Sequence, residues 1–355
     1  MGNEIENLQS LLKNDPSNFQ ARRELAILLA ENGFNEEALS NLRYLEKYFP
    51  EDAELQYNLG ILYEKTKKPQ EARIAYEKAI EISPQDDFYY NLGEVFVELK
   101  EWDLAIESFK KVLETDSKDG NCYFNLGLCY LHKEEKSFAS DNFQKAILLN
   151  SQDIYAHFYL GNLYQEDGLT NFAVDCYNKV LEISPDYSWA YYNLASIAFK
   201  NGNLDDAKEY LHKTIYYNDM DIEAYELLTK ICMQENSVEE IITILASRVK
   251  KEENGNLYYM LARVYKHIGS EAEYYSCLKK ALANVYTLSY DKDVIKQELE
   301  YVEYKIKPDT FEEDFDYEEY ESEEEDFIEK EDEIENEEYE DVDDIVEDIE
   351  EDEEF

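Results

Sequence analysis

The sequence contains no long hydrophobic segment. Its longest apolar runs, such as LAILLA at residues 25–30 and IITILA at residues 241–246, are much shorter than the roughly 20 residues of a membrane-spanning helix. The N-terminal residues MGNEIENLQSLLKND carry no basic region followed by an apolar run, so no secretory signal is expected. These absences predict a cytoplasmic protein with no membrane partner.

Cysteine is scarce and scattered, and the catalytic motifs are missing. The five cysteines form no Cys-x-x-Cys pair, and their odd number favours a reduced, cytoplasmic setting over a disulfide framework. Cys129 and His132 are neighbours on one helical turn, but a single pair lacks the ligands of a zinc site. No phosphate-binding loop or nucleophile elbow occurs in the sequence. The sequence therefore predicts a protein that is not an enzyme and has no cofactor, no metal and no catalytic residue.

Basic residues are few: 34 Lys and Arg stand against 83 Asp and Glu, which gives a net charge of −49. Residues 309–355 alone contain 30 acidic residues and one base, Lys330. This charge disfavours nucleic acid as a partner and favours basic proteins. Self-repulsion predicts that residues 309–355 form a disordered acidic tail. Apolar residues such as Phe311 and Ile334 interrupt the acidic runs, so the tail is either a solubilising extension or a short interaction motif.

What the sequence does contain is a repeat. Two columns of small residues recur at intervals of 34, with a single interval of 33. The first column reads Ala26, Gly60, Gly93, Gly127, Gly161 and Ala195, and the second reads Ala38, Ala72, Ala105, Ala139, Ala173 and Ala207. A fixed period of this length predicts stacked units that bury their apolar faces against their neighbours.

Each repeat has the pattern of two helices joined by a turn. Apolar residues recur at spacings of three and four, with Leu59 and Leu62 in one helix and Ala72 and Ala75 in the next. Turn signals such as the Asn-Gly pair at residues 32–33 separate the two helices. Because small side chains allow two helices to approach closely, the two columns are expected to lie where the helices of one hairpin meet.

The order of residue types in the repeat resembles the tetratricopeptide repeat family. The first helix of that motif is seen in YYNLGEVF, YFNLGLCY and AYYNLASIAF, and the second in EARIAYEKAIEISP and FAVDCYNKVLEISP. The resemblance covers most of the chain. It implies an all-α fold, a right-handed α-solenoid of stacked helix-turn-helix hairpins.

The repeat pattern predicts four segments along the chain. They are an N-terminal half-repeat helix at 1–18, a solenoid of about eight repeats at 19–288, a capping helix at 289–308 and the disordered acidic tail at 309–355. The last two repeats, 222–254 and 255–288, depart furthest from the pattern.

The resemblance also implies which residues face a partner, because in this family the first helices line a concave surface. Position 5 of five successive repeats is aromatic: Tyr57, Tyr90, Phe124, Phe158 and Tyr192. Aromatic residues dominate binding hot spots, so these rings predict a groove for the apolar or aromatic side chains of a partner. The alternative, in which some of the rings pack on the next repeat, stays open.

Asparagine recurs on the same helices. Position 6 is Asn58, Asn91, Asn125 and Asn193 in four repeats, and Asn162 occupies position 9 of another. A carboxamide both donates and accepts hydrogen bonds, so these residues are candidates for pairing with the backbone of an extended peptide. The alternative is that asparagine is simply the common residue at this position in the family. The Lys and Arg clamp by which co-chaperone members hold a terminal carboxylate is missing, so an acidic chaperone peptide is not the expected ligand.

Together these features predict a protein-interaction scaffold or adaptor that binds an extended segment of a partner protein. The expected segment is basic, or aromatic and apolar. Two alternatives stay open: a chaperone-like holder of basic client proteins, and a regulatory subunit of a separate enzyme.

Overall fold

In the computed structural model the described residues are 2–306, and they form eighteen α-helices and one 3-10 helix. The helices are α1 (Gly2–Asn14), α2 (Phe19–Glu31), α3 (Asn35–Glu46), α4 (Ala53–Lys65), α5 (Pro69–Ile82), α6 (Asp86–Glu98), α7 (Trp102–Thr115), α8 (Gly120–His132), α9 (Lys136–Leu149), α10 (Ile154–Glu166), α11 (Thr170–Ile183), α12 (Ser188–Lys200), α13 (Leu204–Tyr217), α14 (Ile222–Gln234), α15 (Val238–Lys251), α16 (Gly255–His267), α17 (Glu271–Ala283) and α18 (Lys292–Ile306). The 3-10 helix Val285–Thr287 lies between α17 and α18. Residues 2–306 contain no strand, and the prediction of an all-α fold is confirmed.

The chain divides between Tyr164 and Gln165 into two compact units. In the first unit α2 pairs with α3, α4 with α5, α6 with α7 and α8 with α9, and each pair contacts the next. In the second unit α12 pairs with α13 and α16 with α17, and α18 packs against α17. Each unit is therefore a stack of helix hairpins, as the repeat predicts.

The first column of small residues allows a bulky ring of the second helix to lie against the first helix. A Cβ atom at Gly93 would lie 2.7 Å from the ring of Phe109. A Cβ atom at Gly127 would lie 2.5 Å from the ring of Phe143. Ala105 in the second column is completely buried. A hairpin can pack this closely only because the side chains at these positions are small.

Several first helices begin at a side chain that caps the helix. The carboxylate of Asp52 accepts a hydrogen bond from the backbone N–H of Leu55 at 3.0 Å, and Asp119 caps α8 in the same way. Asp221 caps α14. Such caps satisfy N–H groups that have no partner within the helix, so they fix where each hairpin starts.

The turn inside a hairpin contains a left-handed residue at the same place in eight successive repeats. In four repeats it is glycine, at Gly33, Gly168, Gly202 and Gly269. In the other four it is Lys67, Lys100, Glu134 or Asn236, with φ between 54° and 58°. Asn-Gly or Asp-Gly pairs in the sequence indicate three of the glycine turns, at Gly33, Gly168 and Gly202, whereas Gly269 and the four turns without glycine carry no such pair.

The two end helices flank the repeats. α1 packs against α2 at one end, and α18 lies within the predicted capping segment at the other. The predicted acidic tail, 309–355, lies outside the described residues, and the four segment boundaries stay predictions. Among the helices of residues 2–306, none combines the length and the apolarity that crossing a bilayer requires.

Candidate functional site

The candidate residues of the first unit lie on α4, α6 and α8, and we call their common surface the first-helix face. It consists of Tyr57, Asn58, Glu64, Tyr90, Asn91, Glu94, Glu98, Phe124 and Asn125. Glu94 and Glu98 are exposed, and the other seven side chains are half-buried. The face is therefore open to a partner while its side chains are held in place by their neighbours.

Each aromatic ring of this face packs on one side against the core. The ring of Tyr57 stacks on Phe88 with centroids 4.6 Å apart. Phe124 lies 5.8 Å from Phe143 and 6.0 Å from Tyr159. The two interpretations of the aromatic positions therefore do not exclude each other, because a half-buried ring packs on its own chain and still presents one edge to solvent.

The asparagines connect successive first helices. The side-chain amide of Asn91 donates a hydrogen bond to the Tyr57 hydroxyl at 3.1 Å, and that of Asn125 donates to the Tyr90 hydroxyl at 3.2 Å. Each asparagine thus uses its Nδ2 group on the tyrosine of the preceding repeat. These bonds fix the orientation of the amide and leave its Oδ1 atom as the acceptor for another group.

Two candidates on α10, in the fifth predicted repeat, are buried. Phe158 has no exposed surface, and the side chain of Asn162 is 7% exposed. In this repeat a tyrosine, Tyr159, replaces the asparagine of position 6, and its ring stacks on Phe143 with centroids 5.6 Å apart. The structure places these side chains in the packing of α10 and does not bring them onto the first-helix face.

Three carboxylates of the face were not singled out by the sequence. The pKa of Glu64 is raised to about 7, chiefly by burial; a hydrogen bond from the Tyr76 hydroxyl opposes the shift, and the neighbouring Glu94 and Glu98 add to it. Burial also raises the pKa of the Tyr90 hydroxyl, with Glu94 adding to the effect. The groups that act on Glu64 are thus tyrosine and glutamate, with no lysine or arginine among them. The first-helix face is thus an aromatic surface that carries three carboxylates, and no cation is among the groups that act on Glu64.

In the second unit the candidates are more enclosed. Tyr192 is half-buried and packs on the core of its unit, and Asn193 is 6% exposed. A hydrogen bond from Asn193 acts on the hydroxyl of the buried Tyr177. Asn193 therefore binds a tyrosine of its own unit, much as Asn91 and Asn125 do in the first.

The chain itself covers part of the first-helix surface of the second unit. The segment 287–290, which we call the strap, starts at the last residue of the 3-10 helix and leads toward α18. The backbone N–H of Ser289 donates to Oδ1 of Asn256 at 2.8 Å, and the backbone N–H of Gly255 donates to the Thr287 hydroxyl at 2.7 Å. Asn256 and Gly255 lie at the start of α16, so the strap is anchored there by backbone groups.

Tyr290 completes the strap. Its ring lies 4.7 Å from that of Tyr259, and its hydroxyl donates a hydrogen bond to the Glu226 carboxylate. Glu226 and Tyr259 occupy position 5 of their repeats, the same position as Tyr57 and Tyr90. An extended segment of this chain thus already binds the position-5 side chains of the last two repeats. The repeat pattern gave no indication of this contact.

The cysteines show no feature of a reactive site. All five are buried and free. Burial raises the pKa of Cys129 to about 12 and that of Cys176 to about 11, so these thiols stay protonated near neutral pH. The ring of His132 stacks on that of Trp102 with centroids 4.3 Å apart. Within residues 2–306, no group of three His, Cys, Asp or Glu side chains could hold a metal ion.

Solved structures of repeat proteins are similar to this chain. PilF of Pseudomonas aeruginosa is 18% identical, with 60% of this chain and 97% of that chain covered and a TM-score of 0.52. The C-terminal part of a TPR repeat-containing protein from Cytophaga hutchinsonii is 18% identical, with coverages of 75% and 96% and a TM-score of 0.50. YrrB, described as a TPR protein with an unusual peptide-binding site, is 25% identical, with coverages of 52% and 96% and a TM-score of 0.45. The likeness to the first two concerns the fold and does not extend to a ligand.

Models of the tetratricopeptide repeat match residues 24–87, 87–119 and 166–231. No match was found among curated proteins. The matched residues form the hairpins described above, in both units of the chain. The chain belongs to the tetratricopeptide repeat family.

Proposed function

We propose that this protein is an interaction scaffold whose first-helix face binds an extended, basic and aromatic segment of a partner protein. One observation carries the proposal. Glu64 is desolvated beside Glu94 and Glu98, and only tyrosine and glutamate side chains act on its carboxyl group. A lysine or arginine from a partner would supply the missing positive charge.

The aromatic rings favour the same kind of segment. Tyr57 and Tyr90 are half-buried and stand on the same face as the carboxylates. A cation that lies beside a carboxylate and over a tyrosine ring is attracted by both groups, and the attraction is stronger where the site is partly desolvated. An aromatic side chain of the partner would pack against the same rings. A segment that alternates basic and aromatic residues therefore fits this face better than an acidic or purely apolar one.

The asparagines support an extended backbone in the partner. The Nδ2 groups of Asn91 and Asn125 are occupied by Tyr57 and Tyr90, so the Oδ1 atoms are the groups left to accept hydrogen bonds. An extended chain presents backbone N–H groups at regular intervals, independently of its sequence. The strap uses this arrangement within the chain, since Oδ1 of Asn256 accepts the backbone N–H of Ser289.

The proposed scaffold is a non-enzymatic, cytoplasmic protein. Tetratricopeptide repeats are typically interaction modules, and the buried, protonated thiols of Cys129 and Cys176 suit a reducing compartment. The strap covers Glu226 and Tyr259, so the proposed site is on the first unit.

Selection of random peptides displayed on phage against the full-length protein tests the proposal. Peptides that bind should be enriched in Lys or Arg next to an aromatic residue. Their binding should fall strongly in the double variant Glu64→Gln/Glu94→Gln and in Tyr90→Ala. The matched control is Glu71→Gln/Glu107→Gln, which removes two exposed carboxylates from the second helices α5 and α7 and should leave binding unchanged. Selected peptides that are acidic, or that bind both double variants equally, would refute the proposal.

The excess of acidic residues favours one other function, the holding of basic client proteins. A holder binds through its overall charge, so it would suppress the aggregation of many unrelated basic proteins. Its activity would be insensitive to Tyr90→Ala, because a single ring contributes nothing to the net charge. Binding of a small set of partners that depends on Tyr90 supports the scaffold.

A further inference from the structure

Three lysines near the end of the described chain lie over tyrosine rings. The Nζ atom of Lys279 is 4.4 Å from the centroid of Tyr275, and that of Lys305 is 4.4 Å from the centroid of Tyr301. Lys280 is 5.3 Å from the centroid of Tyr258. All three lysines are exposed, and they belong to α17 and α18, which pack against each other. We call this area the lysine–tyrosine surface.

These three lysines differ from those of the second unit that are held by carboxylates. Lys251 is held by Asp219 at 3.1 Å, and Lys266 is held by Glu298 at 3.3 Å. Lys280 and Lys305 instead contact tyrosine rings, and Lys279 interacts with both Tyr275 and Glu303.

The acidic groups nearest to the surface are already engaged. Glu303 faces Lys279 but accepts a hydrogen bond from the Tyr275 hydroxyl at 2.8 Å. The ammonium groups of Lys280 and Lys305 present positive charge to solvent, whereas that of Lys279 also faces the Glu303 carboxylate. A cation–π contact orients an ammonium group but leaves its charge uncompensated.

The chain supplies a polyanion next to this surface. The described residues end at Ile306 on α18, and the 49 residues that follow include the acidic segment 309–355, with its 30 acidic residues and one base. Because the segment is joined to α18, its effective concentration at α17 and α18 is high. The first-helix face carries the carboxylates of Glu64, Glu94 and Glu98, which repel a segment of this charge.

We propose that the lysine–tyrosine surface docks the chain's own acidic segment, residues 309–355. The carboxylates of the segment pair with Lys279, Lys280 and Lys305, and the contact is weak and sensitive to salt. Electrostatic screening lengths of about 10 Å at 0.1 M salt and about 3 Å at 1 M mean that the contact should be lost at the higher concentration. A strongly basic partner of the acidic segment would compete with the three lysines and expose the end of the repeat stack.

Zero-length crosslinking of lysine to carboxylate in the full-length protein, read by mass spectrometry, tests this contact. Only crosslinks from residues 331–355 are counted, because the start of the acidic segment lies close to Lys305 by connectivity alone. Mixing unlabelled with isotope-labelled protein separates crosslinks within one chain from those between chains. The reference lysines are Lys110 and Lys145, which lie over Tyr130 and Tyr123 in the first unit at 5.5 and 5.3 Å.

Crosslinks within one chain should reach Lys279 and Lys280 several-fold more often than Lys110 and Lys145, and this preference should disappear in 1 M salt. Cleavage of the acidic segment by a glutamate-specific protease gives an independent readout. The rate should rise several-fold in Lys279→Gln/Lys280→Gln/Lys305→Gln and stay unchanged in Lys110→Gln/Lys145→Gln. Equal crosslinking of all four lysines, crosslinks found only between chains, or equal cleavage rates of the two variants would overturn the proposal.

Discussion

Tyr57 and Tyr90 perform two functions with different atoms. Their rings pack on the core and present an edge to solvent, while their hydroxyl groups hold Asn91 and Asn125 of the following repeat. The position of these residues on the first helices follows from the repeat period. The tyrosine–asparagine bonds do not, because residues about one period apart in sequence become neighbours only through the stacking of hairpins.

The carboxylates of the first-helix face show a second limit on what the sequence predicts about single residues. Glu64 and Glu94 are two of 83 acidic residues, and the residue types around them do not distinguish them as candidates for a binding site. What distinguishes Glu64 is burial and the lack of a nearby cation, which depend on how α4, α5 and α6 pack. A pattern of residue types does not contain this information.

Glu64 should make stability depend on pH. Its pKa is about 7 in the folded protein and 4.5 in the reference state, so the folded state holds a proton that the unfolded state has released between these values. The free energy of unfolding should therefore fall as the pH rises from about 4.5 to 7. In Glu64→Gln this loss should be smaller by about 1–2 kcal/mol, a value reduced for solvent screening.

Urea unfolding at pH 4.5 and pH 8 measures this difference, with Glu71→Gln as the exposed control. A pH dependence that is identical in wild type and Glu64→Gln would show that the carboxyl group is already ionised in the folded state. The same linkage applies to binding. A partner lysine stabilises the ionised form of Glu64, so affinity should weaken as the pH falls below about 7.

At the scale of elements, the hairpin turns show which local conformations a sequence pattern predicts and which it does not. Gly33, Gly168 and Gly202 are recognisable as turns because glycine adopts positive φ without a steric penalty. Lys100 and Glu134 occupy the same left-handed position with φ of 57° and 58°. Their hairpins close because the tertiary packing of both helices outweighs the local preference.

Replacing these residues by glycine should stabilise the protein. Lys100→Gly and Glu134→Gly relieve a left-handed conformation at an exposed position, and we expect each to raise the free energy of unfolding by about 0.5–1 kcal/mol. The reverse change, Gly202→Lys, should lower it by a similar amount. Thermal and urea unfolding of the three variants give the comparison. Destabilisation by Lys100→Gly would mean that the lysine side chain contributes more to the turn than its backbone conformation costs.

The strap is the element that the repeat period could not reveal. The sequence marks a boundary near residue 288, where the last repeat ends and the capping helix is expected. Tyr290 binds Glu226, 64 residues away, and this contact crosses a whole repeat. A repeat pattern predicts contacts between adjacent helices. The strap interrupts the pattern and contacts an earlier repeat, so the period does not predict this contact.

At the scale of the molecule, the net charge and the first-helix face should affect different steps of binding. A net charge of −49 attracts a basic segment from a distance, and this attraction raises the association rate. The contacts of Tyr90 and Glu64 form only after docking, so they govern the dissociation rate. The period of the sequence predicts neither rate, since one depends on the sum of all charges and the other on the packing of a few side chains.

This separation can be measured with a basic, aromatic peptide selected on the full-length protein. Raising the salt from about 0.05 M to about 0.5 M should lower its association rate by roughly tenfold or more and change the dissociation rate much less. Tyr90→Ala should do the opposite, raising the dissociation rate at every salt concentration and leaving the association rate close to that of wild type. Stopped-flow binding of a labelled peptide resolves the two rates. If salt and Tyr90→Ala both acted on the association rate alone, the peptide would be held by the overall charge, and the first-helix face would not be its binding site.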